Sequence, residues 1–302
     1  MTSSPQQPLT FLITGCSSGF GLLLSRLVLD QGHNLIATSR SPSRTREVVE
    51  EILSHPGAGT RQWLELDVND PVRCHELIND LETSNGTAID VLVNNAGFCI
   101  LGPAELLEED ELREMMDTMY FGPARLARLV LPFMRQRKKG VIVNMSSGAG
   151  LEGRESMAGY AAAKAALDGF SKVLATEVAP LGVRVLTVQL GAFDHTSMGD
   201  NARATRQYRQ GDVPTEYVGS VADQITKTLA GGKLATVADG DSKKAAKAVY
   251  DVIVGEGVGF GKEKERMLPL GRDLDKRLRE VIGRYQHALD VFGDICNKVH
   301  KD

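Results

Sequence analysis

The first 190 residues of this 302-residue chain alternate six times between a short, mostly apolar run and an amphipathic or charged stretch. The apolar runs have the length of buried strands, and they predict strands at residues 9–14, 34–39, 63–68, 89–94, 141–146 and 183–190. The stretches between them predict helices at 19–31, 44–53, 72–82, 109–137 and 158–179. Such alternation favours right-handed crossovers, and therefore an α/β fold: a doubly wound parallel sheet in three layers, helix/sheet/helix.

The pattern changes after residue 191. Residues 192–240 are polar and include Arg203, Arg206 and Arg209, and their weak periodicity predicts an irregular lid. A helix at 242–254, a short strand at 267–271 and a charged amphipathic helix at 273–298 follow. These elements continue the same alternation, so we expect one domain over 1–302, with a core at 9–191, a lid at 192–240 and C-terminal elements at 241–302.

Composition argues against several classes of protein. Lys and Arg number 35 against 39 Asp and Glu, and a net charge of −4 predicts binding to neither nucleic acid nor an anionic membrane. The apolar runs are shorter than the roughly 18–20 residues of a membrane span, and the first eight residues lack a secretory pattern. Cys16, Cys74, Cys99 and Cys296 are far apart, which predicts no disulfide framework, no metal site and a reducing, cytoplasmic location.

A glycine cluster lies at the first predicted strand-to-helix junction, in the segment Thr14-Gly15-Cys16-Ser17-Ser18-Gly19-Phe20-Gly21. Glycines allow a tight turn there and let the backbone approach a pyrophosphate. The N-terminus of the following helix offers free N–H groups and the positive end of its dipole. The position between strand and helix therefore predicts a dinucleotide site rather than an ordinary glycine-rich turn.

The spacing of these glycines resembles the cofactor turn of the short-chain dehydrogenase/reductase family in its single-domain form. Four further motifs stand in that family's order: Asp67-Val68, Asn94-Asn95-Ala96-Gly97, Asn144-Met145-Ser146-Ser147 and Tyr160-Ala161-Ala162-Ala163-Lys164. The resemblance covers about residues 9–270 and implies a Rossmann-like fold with a nicotinamide dinucleotide in the core. The cofactor residues that it implies are Gly15, Ser17, Ser18, Gly19, Phe20, Gly21, Asp67, Val68, Asn94, Ala96, Gly97, Arg128, Tyr160, Lys164, Gly191, Phe193 and Thr196. For Arg128, a solvent-facing charge on its helix is an equal alternative.

The end of the second predicted strand bears on the choice between NAD and NADP. A carboxylate there would bind the ribose 2′-OH and repel a 2′-phosphate. This chain has Ser39 and Arg40 instead, and a guanidinium can pair bidentately with a phosphate. We therefore predict NADP(H), with a solvated loop charge as the alternative interpretation of Arg40.

Tyr160 and Lys164 are four residues apart, so they lie about one turn apart on one helix face. A tyrosine of unperturbed pKa, about 10, exchanges protons poorly at pH 7, and a neighbouring ammonium is expected to lower that pKa. The resemblance assigns general acid/base catalysis to Tyr160 and pKa tuning with ribose binding to Lys164. It assigns stabilisation of the substrate oxygen to Ser147, which its spacing from Tyr160 favours over Ser146.

Two features depart from the family pattern. In the long helix, Met119 stands where the family usually has an Asn that helps to hold a water leading from the lysine to solvent. A thioether accepts only weakly and donates nothing. Pro123 follows, which predicts a kink or break in that helix. After the sixth strand, Leu190-Gly191 replaces the family's Pro-Gly, and His195 takes the place of a Thr, one position before Thr196.

Four methionines, Met115, Met116, Met119 and Met134, share the long helical region. Core filling and a subunit contact are both open, and we favour the contact because the family often dimerises through this helix and the helix of Tyr160. The resemblance therefore implies a homodimer or homotetramer. The helix at 273–298 could cover the substrate mouth or join the subunit contact.

The sequence thus predicts an NADP(H)-dependent oxidoreductase that interconverts a ketone or aldehyde and an alcohol on a small, hydrophobic substrate. The substrate class, which includes carbonyl reductions of specialised metabolism, comes from the resemblance alone. Met119 and Leu190 motivate an alternative, a non-redox isomerase, dehydratase or cyclase on the same scaffold. A cofactor-sensing binding protein without catalysis is a third hypothesis, and the intact Ser147, Tyr160 and Lys164 argue against both.

Overall fold

The computed structural model describes residues 7–194, 202–231 and 238–299. Its strands are β1 Thr10–Ile13, β2 Asn34–Ser39, β3 Arg61–Glu65, β4 Val91–Asn94, β5 Ile100–Leu101, β6 Gly140–Ser147, β7 Val183–Leu190, β8 Arg203–Ala204 and β9 Met267–Leu270. Its α-helices are α1 Gly19–Asp30, α2 Arg46–Leu53, α3 Pro71–Asn79, α4 Glu109–Met116, α5 Gly122–Arg137, α6 Ala158–Val178, α7 Arg206–Gln210, α8 Val221–Ala230, α9 Ser242–Val254 and α10 Arg272–Cys296.

Seven strands form one sheet in the order β3-β2-β1-β4-β6-β7-β9, and every neighbouring pair is parallel. The chain winds outward from β1 in one direction and from β4 in the other. The loops that leave β1 and β4 therefore diverge and open a crevice at the carboxyl ends of these strands, where ligands bind in this class of fold. The predicted doubly wound parallel sheet is confirmed.

Two apolar clusters cover the two faces of the sheet, because successive side chains of a strand point to opposite sides. Phe11 and Ile13 of β1 pack with residues of α1 and α9, whereas Leu12 packs with residues of α3, α5 and α6 on the other face. All three side chains are no more than 1% exposed. Because the strands are buried on both faces, their sequences are continuous apolar runs.

The long helical region predicted at 109–137 is divided in the structure. A π-helical turn, Asp117–Phe121, separates α4 from α5. Pro123 has no N–H to donate to the carbonyl of Met119, so the regular ladder is interrupted just where the turn widens. The prediction was a kink or break; the chain instead stays helical through the π-helical turn, which buries Thr118 and Met119.

The methionines of this region correct one interpretation. Met115, Met119 and Met134 are at most 1% exposed, so they fill the core of this chain, and the preferred assignment to a subunit contact was wrong for them. Glycines on facing elements make the room: a Cβ on Gly159 would lie 2.2 Å from the Met115 methyl carbon, and one on Gly140 would lie 2.4 Å from the Met134 sulfur.

The segment predicted as an irregular lid also differs, because its described part is ordered into elements. β8 pairs with β5, and helices α7 and α8 follow. Its three arginines pair with acidic side chains at and around α4: Arg203 with Glu114, Arg206 with Glu108 and Asp110, and Arg209 with Glu111. Charge pairing over a long sequence separation organises a segment that has little periodicity of its own.

The C-terminal helix α10 has two different halves. Leu274, in its first turn, is 1% exposed and packs near the end of β6. Farther along, Ile282, Tyr285, Leu289 and Phe292 are all more than half exposed. No helix among the described residues is both long enough and apolar enough to span a membrane.

Candidate active site

The glycine turn after β1 has a backbone that only glycine accommodates well. Gly15 and Gly19 have φ of 71° and 55°, in the left-handed region that disfavours other side chains. A Cβ on Gly15 would lie 2.9 Å from Cα of Ala96, and one on Gly21 would lie 2.3 Å from the Gly15 carbonyl oxygen. The turn is therefore packed tightly against both the next loop and the start of α1.

A set of hydrogen bonds joins this turn to the loop after β4. The backbone amides of Asn95 and Ala96 each donate to Oγ1 of Thr14 at 3.0 Å. The side-chain amide of Asn95 donates to the carbonyl oxygens of Thr14 at 2.8 Å and Gly15 at 3.1 Å. These bonds fix the two loops on either side of the crevice.

Asn94 requires a correction. The sequence places it at the cofactor, but its side chain is 2% exposed and donates to Oδ1 of Asn144 at 2.8 Å, inside the sheet. The next residue, Asn95, lines the cleft instead. Asn94 is the last residue of β4. Because successive side chains of a strand point to opposite faces, Asn94 and Asn95 are not expected to share one environment.

A cleft of about 290 Å³ opens above the glycine turn. Its lining residues come from the carboxyl ends of neighbouring strands and from the lid: Gly15, Ser17, Ser18, Ser39, Arg40, Leu66, Asp67, Val68, Asn95, Ala96, Gly97, Phe98, Glu114, Thr118 and Arg203. The close backbone, the free N-terminus of α1 and an arginine at the far end fit a nicotinamide dinucleotide that carries phosphate groups.

Other predicted cofactor residues lie around rather than inside this cleft. Gly19 and Gly21 shape the turn, and Phe20 faces the neighbouring catalytic pocket. Arg128 is exposed and lines neither cavity, which agrees with its alternative as a solvent-facing charge. One helical turn earlier, Arg125 donates to the carbonyl oxygen of Val68, a residue that lines the cleft.

The sequence did not identify Arg203 as a cleft residue. Its guanidinium carbon lies 5.1 Å from the ring centre of Phe98, and its other contact is the carboxylate of Glu114. The lid brings this cation over the cleft only because β8 pairs with β5, a contact that no local pattern indicates.

Ser147, Tyr160 and Lys164 meet in a smaller pocket of about 80 Å³, which shares Asn95, Gly97 and Phe98 with the cofactor cleft. The other lining residues are Phe20, Met119, Met145, Ser146, Leu190 and Gly191. Ser147 is the last residue of β6, whereas the tyrosine and the lysine stand one turn apart on α6. Nζ of Lys164 donates to the Met145 carbonyl oxygen at 2.7 Å and lies 5.7 Å from the ring centre of Tyr160.

The protein environment shifts both pKa values of this pair toward the neutral forms. Burial raises the pKa of Tyr160, and the Ser147 hydroxyl, which hydrogen-bonds it, opposes that rise in part. Burial lowers the pKa of Lys164 to about 8, and Asp168 opposes that change. The predicted lowering of the Tyr160 pKa by the ammonium does not occur, because burial raises that pKa, Cys99 and Asp168 add to the rise, and Ser147 is the group that opposes it.

Residues 9–207 match the family model described as short chain dehydrogenase. The chain belongs to the short-chain dehydrogenase/reductase family. It is 37% identical over 195 residues, 65% of this chain and 67% of the relative, to a 3-ketodihydrosphingosine reductase of Bacteroides thetaiotaomicron. A short-chain dehydrogenase of Streptomyces avermitilis is similar in structure (TM-score 0.82, 30% identity) over 99% of this chain and 100% of its own. A metagenomic short-chain oxidoreductase solved with NADP is 29% identical (TM-score 0.57) over 61% and 82%.

A further cavity of about 440 Å³ lies beside the pocket of Ser147, Tyr160 and Lys164, and the two share Ser147, Leu190 and Gly191. Apolar side chains and the first turns of α10 line the rest: Ala149, Arg154, Met157, Ala192, Phe193, Leu229, Asp273, Lys276, Arg277 and Glu280. The ring of Phe193 lies edge-on to that of Phe20, with centres 5.6 Å apart. His195 and Thr196 lie outside the described residues.

Three charged side chains hold α10 against the rest of the protein, where this helix forms one wall of the cavity. The carboxylate of Asp273 accepts from the backbone amide of Ala192 at 3.1 Å and pairs with Arg277 at 3.2 Å. Arg277 also pairs with Glu152 at 2.8 Å, and both side chains are no more than 15% exposed. Gly191 is needed beside them, because a Cβ there would lie 2.2 Å from Oδ1 of Asp273. The helix at 273–298 therefore borders the cavity through its first half.

Among residues 7–194, 202–231 and 238–299, no group of three or more His, Cys, Asp or Glu side chains is arranged to hold a metal ion. The candidate site in this part of the chain consists of a cleft above the glycine turn, a pocket that contains Ser147, Tyr160 and Lys164, and a larger adjoining cavity.

Proposed function

We propose that the protein is an NADP(H)-dependent oxidoreductase that interconverts a ketone or aldehyde and an alcohol on a small hydrophobic substrate. The observation that carries this proposal is the position of Ser147, Tyr160 and Lys164 in one pocket between a dinucleotide cleft and a separate cavity. Substrate and cofactor would each approach the same three side chains from its own side.

The cofactor, when bound, supplies or accepts the hydride. The chain's own residues act on the substrate oxygen. The hydroxyl of Ser147 donates a hydrogen bond to that oxygen and stabilises the charge that develops on it. The Tyr160 phenol gives the proton when the carbonyl is reduced and removes it when the alcohol is oxidised. Lys164 holds the ribose of the cofactor and places positive charge behind the phenol.

The preference for NADP(H) is supported by Arg40, whose guanidinium borders the cleft beside Ser39 with no carboxylate at that place. The Oγ of Ser39 accepts from the Trp63 indole at 3.1 Å, so its own O–H remains as a donor for a 2′-phosphate. Arg40 would supply the positive charge that this phosphate needs. The relative solved with NADP is consistent with this choice.

The substrate class is supported by the adjoining cavity. Ala149, Met157, Phe193 and Leu229 give it an apolar side next to Ser147. The similar protein from Bacteroides is named for the reduction of 3-ketodihydrosphingosine. We therefore propose small molecules whose carbonyl carries bulky, largely apolar groups rather than polar ones.

Cofactor consumption tests the proposal. Purified protein is mixed with NADPH or NADH and a panel of long-chain, cyclic and small carbonyl compounds. We expect turnover with NADPH and bulky ketones. Tight NADPH binding without consumption across the panel would contradict the proposal and favour the non-redox alternative.

We also propose that the chain forms a homo-oligomer, and two exposed surfaces compete for the contact. Val173 on α6 and Leu289 on α10 are each 59% exposed, so Val173→Glu and Leu289→Glu are matched variants. Light scattering during size-exclusion chromatography would show which one yields monomer. A monomeric wild type would contradict the proposal. The cytoplasmic location stays a prediction.

A further inference from the structure

A buried carboxylate lies directly behind the catalytic pair. Tyr160, Lys164 and Asp168 follow one another at intervals of four residues, so they form one row along α6. They are 8%, 5% and 2% exposed, respectively. Burial of an aspartate costs free energy unless hydrogen bonds or ion pairs compensate its charge. The mechanism above assigns no role to Asp168.

The carboxylate of Asp168 is incompletely satisfied. Its Oδ2 accepts from the Gln189 side-chain amide at 2.8 Å, but its Oδ1 accepts no hydrogen bond from the described residues. Burial raises the pKa of Asp168, and the hydroxyl of Ser146 and the ammonium groups of Lys164 and Lys172 oppose that rise. The Ser146 hydroxyl faces the carboxylate, although it makes no hydrogen bond of ordinary geometry within the described chain.

Asp168, although only 2% exposed, also lines a cavity that shares no lining residue with the cofactor cleft. The volume of this cavity is about 270 Å³, and its other lining residues are Ser171, Lys172, Ala175, Thr176, Thr187, Gln189, Arg266 and Met267. Lys172, Thr176 and Arg266 are exposed, so this rear cavity communicates with bulk water. Ser146 lines the catalytic pocket on the other side of the same carboxylate.

Three side chains that line the catalytic pocket cannot pass a proton. Phe98, Met119 and Met145 contribute a ring and two thioethers. Met119 is 1% exposed and occupies the π-helical turn between α4 and α5, at the place where the resemblance implies an amide. A proton that enters or leaves Tyr160 therefore does not pass by way of Met119.

We propose that Asp168 relays protons between the Tyr160–Lys164 pair and the solvent of the rear cavity. The inference rests on the proposed reduction. When the O–H bond of Tyr160 breaks and that of the product alcohol forms, the phenolate recovers a proton from Lys164 through water in the pocket. Lys164 then recovers its proton from the carboxylic acid of Asp168 through the Ser146 hydroxyl, and water in the rear cavity reprotonates Asp168. Oxidation runs the same transfers in reverse.

The test compares Asp168→Asn with Asp251→Asn. Asp251 is also buried and also stands four residues after a lysine, Lys247, but it lies on α9 away from the site. We expect Asp168→Asn to lower kcat by about 10-fold to 100-fold, with KM and NADPH affinity unchanged. It should also enlarge the solvent deuterium isotope effect on kcat and respond to rescue by added formate. Asp251→Asn should leave kcat and the isotope effect unchanged.

Two further variants keep the inference falsifiable. Ser146→Ala removes only a hydroxyl, and it should reproduce the isotope effect even if Asp168→Asn fails to fold. Met119→Asn places an amide in the catalytic pocket, so Asp168→Asn should lower kcat by a smaller factor in that background.

A wild-type kcat and isotope effect in both Asp168→Asn and Ser146→Ala would overturn the relay alone. A loss of kcat without rescue, together with weaker NADPH binding, would show a structural role. Absence of turnover in the wild type would overturn the proposed function.

Discussion

The cofactor cleft and the substrate cavity are built in different ways. The cleft is formed by short segments at strand ends, and much of its geometry comes from backbone contacts around Gly15 and Asn95. The cavity instead depends on side-chain pairs that join distant parts of the chain, such as Arg277 with Glu152. This difference teaches that one region is fixed mainly by bonds to the backbone, whereas the other can change with single side chains. Cofactor use and substrate use should therefore be separable by mutation.

The largest expected effect is at the pocket where the two regions meet. Tyr160→Phe removes the proton donor and keeps the ring, so kcat should fall by about 10²-fold to 10⁴-fold while NADPH affinity stays within about twofold. Stopped-flow absorbance and cofactor titration measure the two quantities. Tyr250→Phe, which removes a buried hydroxyl that contacts His33, is the control and should keep kcat. Equal activity of Tyr160→Phe and the wild type would contradict the assigned role.

The second prediction concerns Lys164 and pH. Its pKa is 10.5 when unperturbed and about 8 in the fold, so between these values the unfolded chain binds more protons. The contribution of Lys164 to the unfolding free energy should therefore rise by about 3 kcal/mol between pH 8 and 10.5, since only the unfolded chain still binds that proton there. The buried thiols of Cys16 and Cys99, whose pKa values are raised, act in the opposite direction above pH 9, so the contribution is the difference between the wild type and a variant without Lys164. Below pH 8 the full penalty of the buried charge remains.

Urea unfolding of the cofactor-free protein at several pH values measures this change. Lys164→Met lacks the titrating group, so its stability should not show that rise. Parallel pH profiles for wild type and variant would mean that the ammonium is not buried in the fold.

The third prediction tests the cofactor region by itself. Arg40→Asp should lower kcat/KM for NADPH by about 10-fold to 100-fold, since a carboxylate repels the 2′-phosphate, and should spare NADH. Arg44→Asp makes the same charge change at an exposed residue that does not line the cleft, and it should have little effect. If both variants lower kcat/KM for NADPH equally, the cause is the change in overall charge rather than the loss of a contact with the 2′-phosphate.

The smallest expected effect is on the substrate region. Arg277→Met breaks the pairs with Glu152 and Asp273, so the wall of α10 should loosen. KM for the substrate should rise about tenfold, a change of about 1.4 kcal/mol, with NADPH affinity unchanged. Arg279→Met, which breaks an exposed pair with Asp275 on the same helix, is the matched control. A change in NADPH affinity would contradict the separation of the two regions.

Much of the fold could be predicted from local sequence, because the spacing of apolar residues over a short segment indicates a buried strand or an amphipathic helix. The six core strands, the interruption of regular α-helix before Pro123 and the meeting of Ser147, Tyr160 and Lys164 were all predictable for this reason. The raised pKa of Tyr160 was not, since it depends on how completely the tertiary structure removes water.

The residues that the sequence missed are held by long-range contacts. Arg203 reaches the cleft through a strand pair, and Asp273 reaches the cavity through the backbone of Ala192. Asn94 and Asn95 could be told apart only by strand parity, because the motif contains both. The methionines were misassigned since the glycines that accommodate them lie on other elements.

The attachment of α10 also has a consequence for the order of folding. Six strands of the main sheet, β1 to β4 with β6 and β7, lie within the first 190 residues, whereas Asp273 and Arg277 follow the lid and contact Ala192 and Glu152 far back in the chain. Contacts of long sequence separation form late, because the intervening chain must first be ordered. We expect the dinucleotide cleft to exist in partly folded chains before the substrate wall does. A cofactor that binds at that stage would stabilise the folded core and shift the folding equilibrium toward it by mass action.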